Sequence, residues 1–330
     1  MPKAISKNKG LLLAMALALC VSFMSAHPVS ADPPANDGKV AVVTLLGDSF
    51  SAGNGAGDYY DMKPVKSYRS HNNWAHHYVN SLRDRGIATV FHNLAFSGAT
   101  TTEVSQRQIG NVPTDSDLVM FSMGGNDKNS FGNIAINCFV LFAQSPEKCK
   151  ESVETAEAFV QSGELRANTE SILTQLEGHL PDKHAQIVLM GYPHLSIDDP
   201  DFLLSRCVKW DSNTSKCKEY YSYPTASRVR DVVDKLAAVQ EQLVREWNAN
   251  NDGSRHTVHY VSSLRSDFEG HETNPSTMLK NDYRWLNEFW ETRGHLGESG
   301  KTEVTFTSDP MEWYHPNQIG HQKMGEALNN

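Results

Sequence analysis

The 330-residue chain is 39% hydrophobic and 21% charged, an ordinary globular balance that excludes a disordered or fibrous protein. Its formal net charge of −9 repels phosphate backbones and anionic headgroups, which argues against nucleic acid as a partner. The length allows one large α/β domain or two modest ones.

Residues 1–31 read as a secretory signal peptide: Lys3, Lys7 and Lys9 give a positive start, Leu11 to Met24 carries no charge, and Val29-Ser30-Ala31 offers small residues for cleavage. The apolar core is short for spanning ~30 Å of hydrocarbon, and bulky Leu19 stands where a lipoprotein signal at Cys20 would need a small residue. Loss of the three lysines, with no acid in the segment, takes the charge from −9 to −12. No later stretch is long and apolar enough to span a membrane, so an extracellular protein with no transmembrane segment is expected. Residues 32–38, rich in Pro, Asn, Asp and Gly, form a flexible lead-in to a single domain over 39–330.

That domain opens with Lys39 to Leu46, a nearly continuous apolar run with β-branched residues that stops at Gly47-Asp48-Ser49. Such a run predicts a strand buried on both faces, as in a parallel sheet. Similar runs follow at Thr89 to Leu94, Leu118 to Met123, Gln186 to Met190 and His256 to Val261. Helical spacing is read between them over Trp74 to Arg85, Ser152 to Glu177 and Ala226 to Asn248, and a last helix over Pro316 to Leu328. Five strands alternating with helices imply a parallel sheet covered on both faces.

Two segments break the alternation, Asn133 to Lys150 and Pro200 to Tyr223, and each holds two cysteines. With Cys20 in the leader, four cysteines remain, and three connectivities are open to them. The local pairs Cys138–Cys149 and Cys207–Cys217 are favoured, because each staples a polar loop in an exported chain. A metal site is not expected: no C-x-x-C pair or Cys/His cluster with ligand spacing occurs, and His71, His76 and His77 lack acidic or cysteine partners. No cofactor is expected either. Gly53-Asn54-Gly55-Ala56-Gly57 lacks the third glycine of the dinucleotide fingerprint, since residue 58 is Asp58. The late region His271 to Thr307 is irregular, and Trp285, Trp290 and Trp313 in or near it either line an acyl or sugar site or serve as core or surface anchors.

In open parallel sheets ligands bind beyond the carboxyl ends of the strands. The residues delivered there are Gly47-Asp48-Ser49, Ser97-Gly98 and Gly125-Asn126-Asp127, with His315 from a late loop. Together they supply a nucleophile, two candidate oxyanion donors and a base. A serine hydroxyl is a poor nucleophile until a base takes its proton, and imidazole can take and return one near neutral pH. Taken singly, Asp48-Ser49 is also a good helix N-cap, Gly124-Gly125-Asn126-Asp127 a good turn, and His315-Pro316 a good helix start. Ser49 does not lie in a G-x-S-x-G elbow.

Four blocks in order carry a resemblance. Gly47-Asp48-Ser49-Phe50-Ser51, Asn93 to Ala99, Gly124-Gly125-Asn126-Asp127 and His315-Pro316-Asn317 with Gly320-His321 resemble the blocks of the SGNH (GDSL) hydrolases, and Gly191-Tyr192-Pro193 also matches. The resemblance spans residues 47 to 320. It implies a three-layer α/β/α fold of the flavodoxin-like type with a central five-stranded parallel sheet, and a secreted serine esterase or lipase. By that resemblance Ser49 is the nucleophile, His315 the base, and the Ser49 and Gly98 N–H groups with the Asn126 amide form the oxyanion hole. The family has an aspartate three residues before the histidine; here that position is Glu312, acting through its side chain or, as in some secreted relatives, its backbone carbonyl. Asp309 is a further candidate. Several secreted relatives also carry a cysteine near Tyr68, which this chain lacks. The substrate implied is a lipid, a phospholipid or an acylated saccharide. The rival readings are an acyltransferase using the same site and a non-catalytic secreted binding protein on the same scaffold.

Overall fold

A computed structural model describes residues 40–274 and 281–329. The signal peptide and lead-in expected over 1–38 lie outside them. Five parallel strands form the central sheet: β1 (Ala41–Gly47), β2 (Thr89–Asn93), β3 (Leu118–Ser122), β4 (Gln186–Met190) and β5 (Thr257–Val261). Their order is β2-β1-β3-β4-β5, with Val43 beside Phe91 and Leu118, and Val119 beside Ile187. This is the doubly wound arrangement in which the chain switches direction at β1, opening a crevice beyond its carboxyl end.

Side chains alternate across the sheet with period two, and both faces are covered. Val43, Leu45, Met120, Val188 and Met190 enter one core with Trp74, Tyr78 and Leu82 of helix α1 (Trp74–Asp84). Val153, Ala156 and Phe159 of α2 (Pro146–Gln161) join them there. Leu46, Val119, Phe121, Ile187 and Leu189 enter a second core with Ile172, Leu173 and Leu176 of α3 (Glu164–His179). The long helix α4 (Thr225–Ala249) feeds both, with Val229, Val232 and Val233 in the first and Leu243, Val244 and Trp247 in the second. A final helix α5 (Gln318–Ala327) packs Met324 and Ala327 into the first core beside α1.

One expected helix is two. The apolar spacing over Ser152 to Glu177 runs through Ser162-Gly163, but Gly163 adopts φ 81°, so the backbone reverses there and α3 starts afresh. Both irregular segments also acquire structure. Residues 130–139 are helical and are bonded through Cys138 to Cys149 in α2, which begins earlier than its apolar spacing because Ser145 caps it and Pro146 sits in its first turn. Residues 203–224 form an antiparallel hairpin crossed by the Cys207–Cys217 bond. The late region holds another antiparallel pair, Glu291–Leu296 with Thr302–Phe306. Among the described residues no helix is long and apolar enough to cross a membrane.

Candidate active site

The carboxyl end of β1 sets the first piece. Gly47 turns with φ 112°, and a Cβ there would lie 2.3 Å from the Ser122 carbonyl oxygen, so the close approach of β1 to β3 requires glycine. The chain then enters a one-turn helix, Ser49–Ala52, capped by Asp48, whose carboxylate accepts the Phe50 N–H at 3.0 Å. The cap role of Asp48 and the placing of Ser49 are thus one device: the cap orients the turn that aims the Ser49 hydroxyl out of the sheet. Asp48 is itself buried, accepting from Ser122 Oγ at 2.8 Å and from the Tyr192 hydroxyl. Burial pushes its carboxyl up to about 6 despite those bonds.

Ser49 Oγ lies 2.8 Å from His315 Nε2, although 266 residues separate them in sequence. The other ring nitrogen, Nδ1, is 2.9 Å from the Trp313 carbonyl oxygen. A carbonyl can only accept, so Nδ1 carries the proton and Nε2 presents its lone pair to the serine hydroxyl. This departs from the expectation that residue 312 fills the place. The chain turns at Tyr314 with φ 56°, between the Trp313 carbonyl and the ring it contacts. The buried Glu312 carboxylate meets the Tyr59 hydroxyl instead. Asp309 accepts from the Tyr68 hydroxyl at 2.5 Å and pairs with Lys66, so neither carboxylate is a hydrogen-bond partner of His315.

His315 keeps part of its surface open to the cavity, but protein crowds the rest of the ring. That desolvation pushes its pKa down to about 4, against a smaller upward pull from the Trp313 carbonyl. At neutral pH the ring is therefore uncharged and able to accept a proton.

Gly98 and Asn126 face the same cavity as Ser49. Gly98 has φ 80° and nothing within 4 Å of where a Cβ would stand, so the backbone conformation, not crowding, calls for glycine and leaves that side open. The Asn126 side-chain amide donates to the Ala99 carbonyl at 3.2 Å. An amide has two N–H donors, so a second remains for a ligand. The neighbouring Asp127 ties the same two loops together, accepting from the Thr101 N–H at 3.1 Å and the Thr101 hydroxyl at 2.6 Å.

Sequence reasoning missed the residues that hold this constellation. Asn287 is one. Its N–H donates to the His315 carbonyl at 2.9 Å, its carbonyl accepts from Tyr314 at 3.1 Å, and its amide donates to the carbonyls of Gly55 and Glu312. Asn54 is another, donating to Ser97 Oγ at 2.9 Å and the Met311 carbonyl at 2.7 Å. A lone asparagine in a loop carries no sequence signal of such a clamp. Of the three tryptophans, Trp313 lines the cavity, whereas Trp285 stacks on His271 and Trp290 stacks on Phe289.

The cavity is about 200 Å³ and runs from Ser49, Gly98, Asn126 and His315 between Phe131, Ala135, Ile136, Val140, Leu195, Met311 and Trp313. Its inner end is polar and its walls are apolar, a division suited to a ligand with one reactive polar group and a hydrocarbon part.

Comparison with known proteins places the chain in a family and identifies relatives of its fold. Residues 45–323 match the model of the GDSL-like lipase/acylhydrolase family. The chain is 34% identical over 167 residues to Lipase 1 of Streptomyces coelicolor, an alignment covering 50% of this chain and 55% of that one. It spans about half the length of the curated relatives it matches above 30% identity. The fold is shared with the extracellular lipase of Streptomyces rimosus at TM-score 0.60 and 22% identity, covering 88% of this chain and 99% of that one. It is shared equally with phospholipase A1 of Streptomyces albidoflavus, at TM-score 0.59 and 24% identity over the same shares.

Proposed function

The chain belongs to the GDSL-like lipase/acylhydrolase family, and we propose that it is a secreted serine esterase whose substrate carries an acyl chain. The observation that supports this reading most is the 2.8 Å contact of Ser49 Oγ with His315 Nε2 at the polar end of an apolar cavity. Relatives named as lipases and a neighbour in fold named as a phospholipase A1 support a lipid ester as substrate class, and the one named an extracellular lipase supports export. The cavity walls favour the hydrocarbon of a lipid or phospholipid over an acylated saccharide, because a sugar ring there would lose its hydrogen bonds to water without replacement.

In this reading Ser49 Oγ attacks the ester carbonyl carbon as His315 Nε2 takes the hydroxyl proton. The carbonyl oxygen becomes an oxyanion held by the Ser49 and Gly98 N–H groups and the Asn126 amide. Collapse expels the alcohol, which receives the proton from His315, and leaves the acyl group on Ser49. Water then attacks the acyl-enzyme with His315 again as base, releasing the carboxylic acid and restoring Ser49.

Purified mature protein is expected to hydrolyse p-nitrophenyl acetate, butyrate and palmitate, with a preference for the longer chains that fill the cavity. A folded protein that turns over none of them would overturn the esterase reading. Transfer seen only after adding an acceptor alcohol would replace it with an acyltransferase.

The Trp313 carbonyl makes two further expectations. Glu312→Gln keeps an acceptor for Tyr59 and is expected to retain kcat/KM within about threefold, because loss of a carboxylate that orients the histidine typically costs ~10⁴-fold. The second concerns pH. Protonated His315 cannot accept the serine proton, so kcat/KM must fall as pH drops through its pKa. With no carboxylate on Nδ1 to stabilise the imidazolium, that midpoint is expected near 4, well below the ordinary 6.5. A midpoint at 6.5 or above would assign a carboxylate partner to His315.

A further inference from the structure

We propose a second site, a binding site for a divalent transition-metal ion, Zn²⁺ in first place, formed by His194, Glu272 and Glu269 behind the cavity wall. The metal-ligating atoms of the three lie within 4.8 Å of one another. His194 is 6% exposed and Glu272 fully buried, yet His194 Nδ1, Glu272 Oε2 and the neighbouring buried Ser196 Oγ have no hydrogen-bond partner. Unpaired buried polar atoms are costly, and two of them on residues of one ligand cluster mark a place shaped for something polar.

The hydrogen bonds around the site say what that is. His194 Nε2 lies 3.0 Å from Asp234 Oδ1, and Arg265 sits 2.8 Å from the same oxygen, so Asp234 is an ionised acceptor. The His194 proton is therefore on Nε2, and the lone pair on Nδ1 faces Glu272, whose nearer oxygen is 3.9 Å away. That oxygen is Oε1, which accepts from Arg230, whereas His194 Nδ1 and Glu272 Oε2 have no donor. A carboxylate on the far nitrogen of a histidine is also the usual outer partner of a metal-ligating imidazole, since it fixes the tautomer and raises the ligand's basicity. Arg230 does not fill the place: it donates to Glu272 Oε1 at 2.9 Å and to Glu269 Oε2 at 2.8 Å, leaving one oxygen of each carboxylate for a ligand.

One imidazole and two carboxylates suit Zn²⁺ better than Ca²⁺ or Mg²⁺, which prefer oxygen alone. Bonds of roughly 2 Å place zinc ligands about 3–4 Å apart, so only a small contraction of these side chains is needed. Bound there, the ion would join the segment after β4, which supplies Leu195 to the cavity wall, to the segment around Glu272, reinforcing the Thr273 hydroxyl bond to the Leu195 carbonyl at 2.6 Å.

The test is calorimetric titration of tag-free, chelator-treated mature protein with Zn²⁺ alone, followed by Ca²⁺ and Mg²⁺. One Zn²⁺ is expected to bind at micromolar or tighter affinity and to raise the melting temperature, with Ca²⁺ and Mg²⁺ at least tenfold weaker. His194→Gln is expected to abolish the event. The side chains of Glu269 and Asp234 are half exposed or more, so their variants test the site without endangering the fold. Glu269→Gln is expected to weaken binding at least tenfold, and Asp234→Asn by 10- to 100-fold. Absence of Zn²⁺ binding by the folded parent overturns the proposal, and so does binding that Glu269→Gln and Asp234→Asn leave unchanged.

Discussion

Ser49→Ala is expected to lower kcat on a p-nitrophenyl ester by about 10⁶-fold while leaving the melting temperature and KM nearly unchanged. In the proposed mechanism the Ser49 hydroxyl forms the acyl bond, and it is the group in hydrogen-bond contact with His315 Nε2. A factor of that size is about 8 kcal/mol of barrier. Ser49 is buried at the head of a one-turn helix, but its side chain makes its contact with His315, not with the core, so its removal costs chemistry and little packing. His315→Ala is expected to cost about as much, and the double variant scarcely more than either, because a nucleophile without its base and a base without its nucleophile are equally idle. Steady-state kinetics at saturating ester, with melting curves on each variant, check this. Retention of more than one percent of the rate by Ser49→Ala would remove the serine mechanism. Additive losses in the double variant would mean that the two side chains act in separate steps.

The second large effect is expected at Asn126. Asn126→Ala should lower kcat by 10²–10³-fold, equivalent to about 3–4 kcal/mol, with KM changed little. The reason is timing. A donor aimed at the oxyanion meets full negative charge only in the transition state, so its loss raises the barrier more than it weakens substrate binding. The bond from the Asn126 amide to the Ala99 carbonyl holds the side chain in place beforehand, and losing that bond costs about 1 kcal/mol of stability. Kinetics and denaturant titration separate the two. A rise in KM with kcat intact would show that Asn126 only binds the ground state.

How far the sequence carried these conclusions depends on where each signal lived. The strands were legible because burial on both faces demands continuous apolar runs, and Leu118–Ser122 or Gln186–Met190 cannot be mistaken for an amphipathic helix of ordinary length. The break between α2 and α3 was not, because the Ser162-Gly163 pair sits inside unbroken helical spacing and only its positive φ shows the reversal. Cysteine spacing favoured the local pairs but could not show that Cys149 would lie in a helix and Cys207 in a hairpin.

The same division holds at the site. The residue types were written in the chain: serine after Gly47-Asp48, glycine at 98, asparagine at 126 and histidine at 315, each at a strand end or helix start where backbone geometry exposes it. Sequence alone therefore determined the family, the parallel sheet and the candidates for the reacting groups. Only the tertiary structure decided what orients them. The partner of His315 Nδ1 is a backbone carbonyl, and a carbonyl is present at every residue, so no residue type can announce it. Its choice rests on the left-handed turn at Tyr314 and on the clamp by Asn287, contacts between segments far apart in sequence. The pairing of His194 with Glu272 has the same origin: each lies in a loop that means little by itself, and the packing of those loops alone brings their side chains within 4.8 Å of each other.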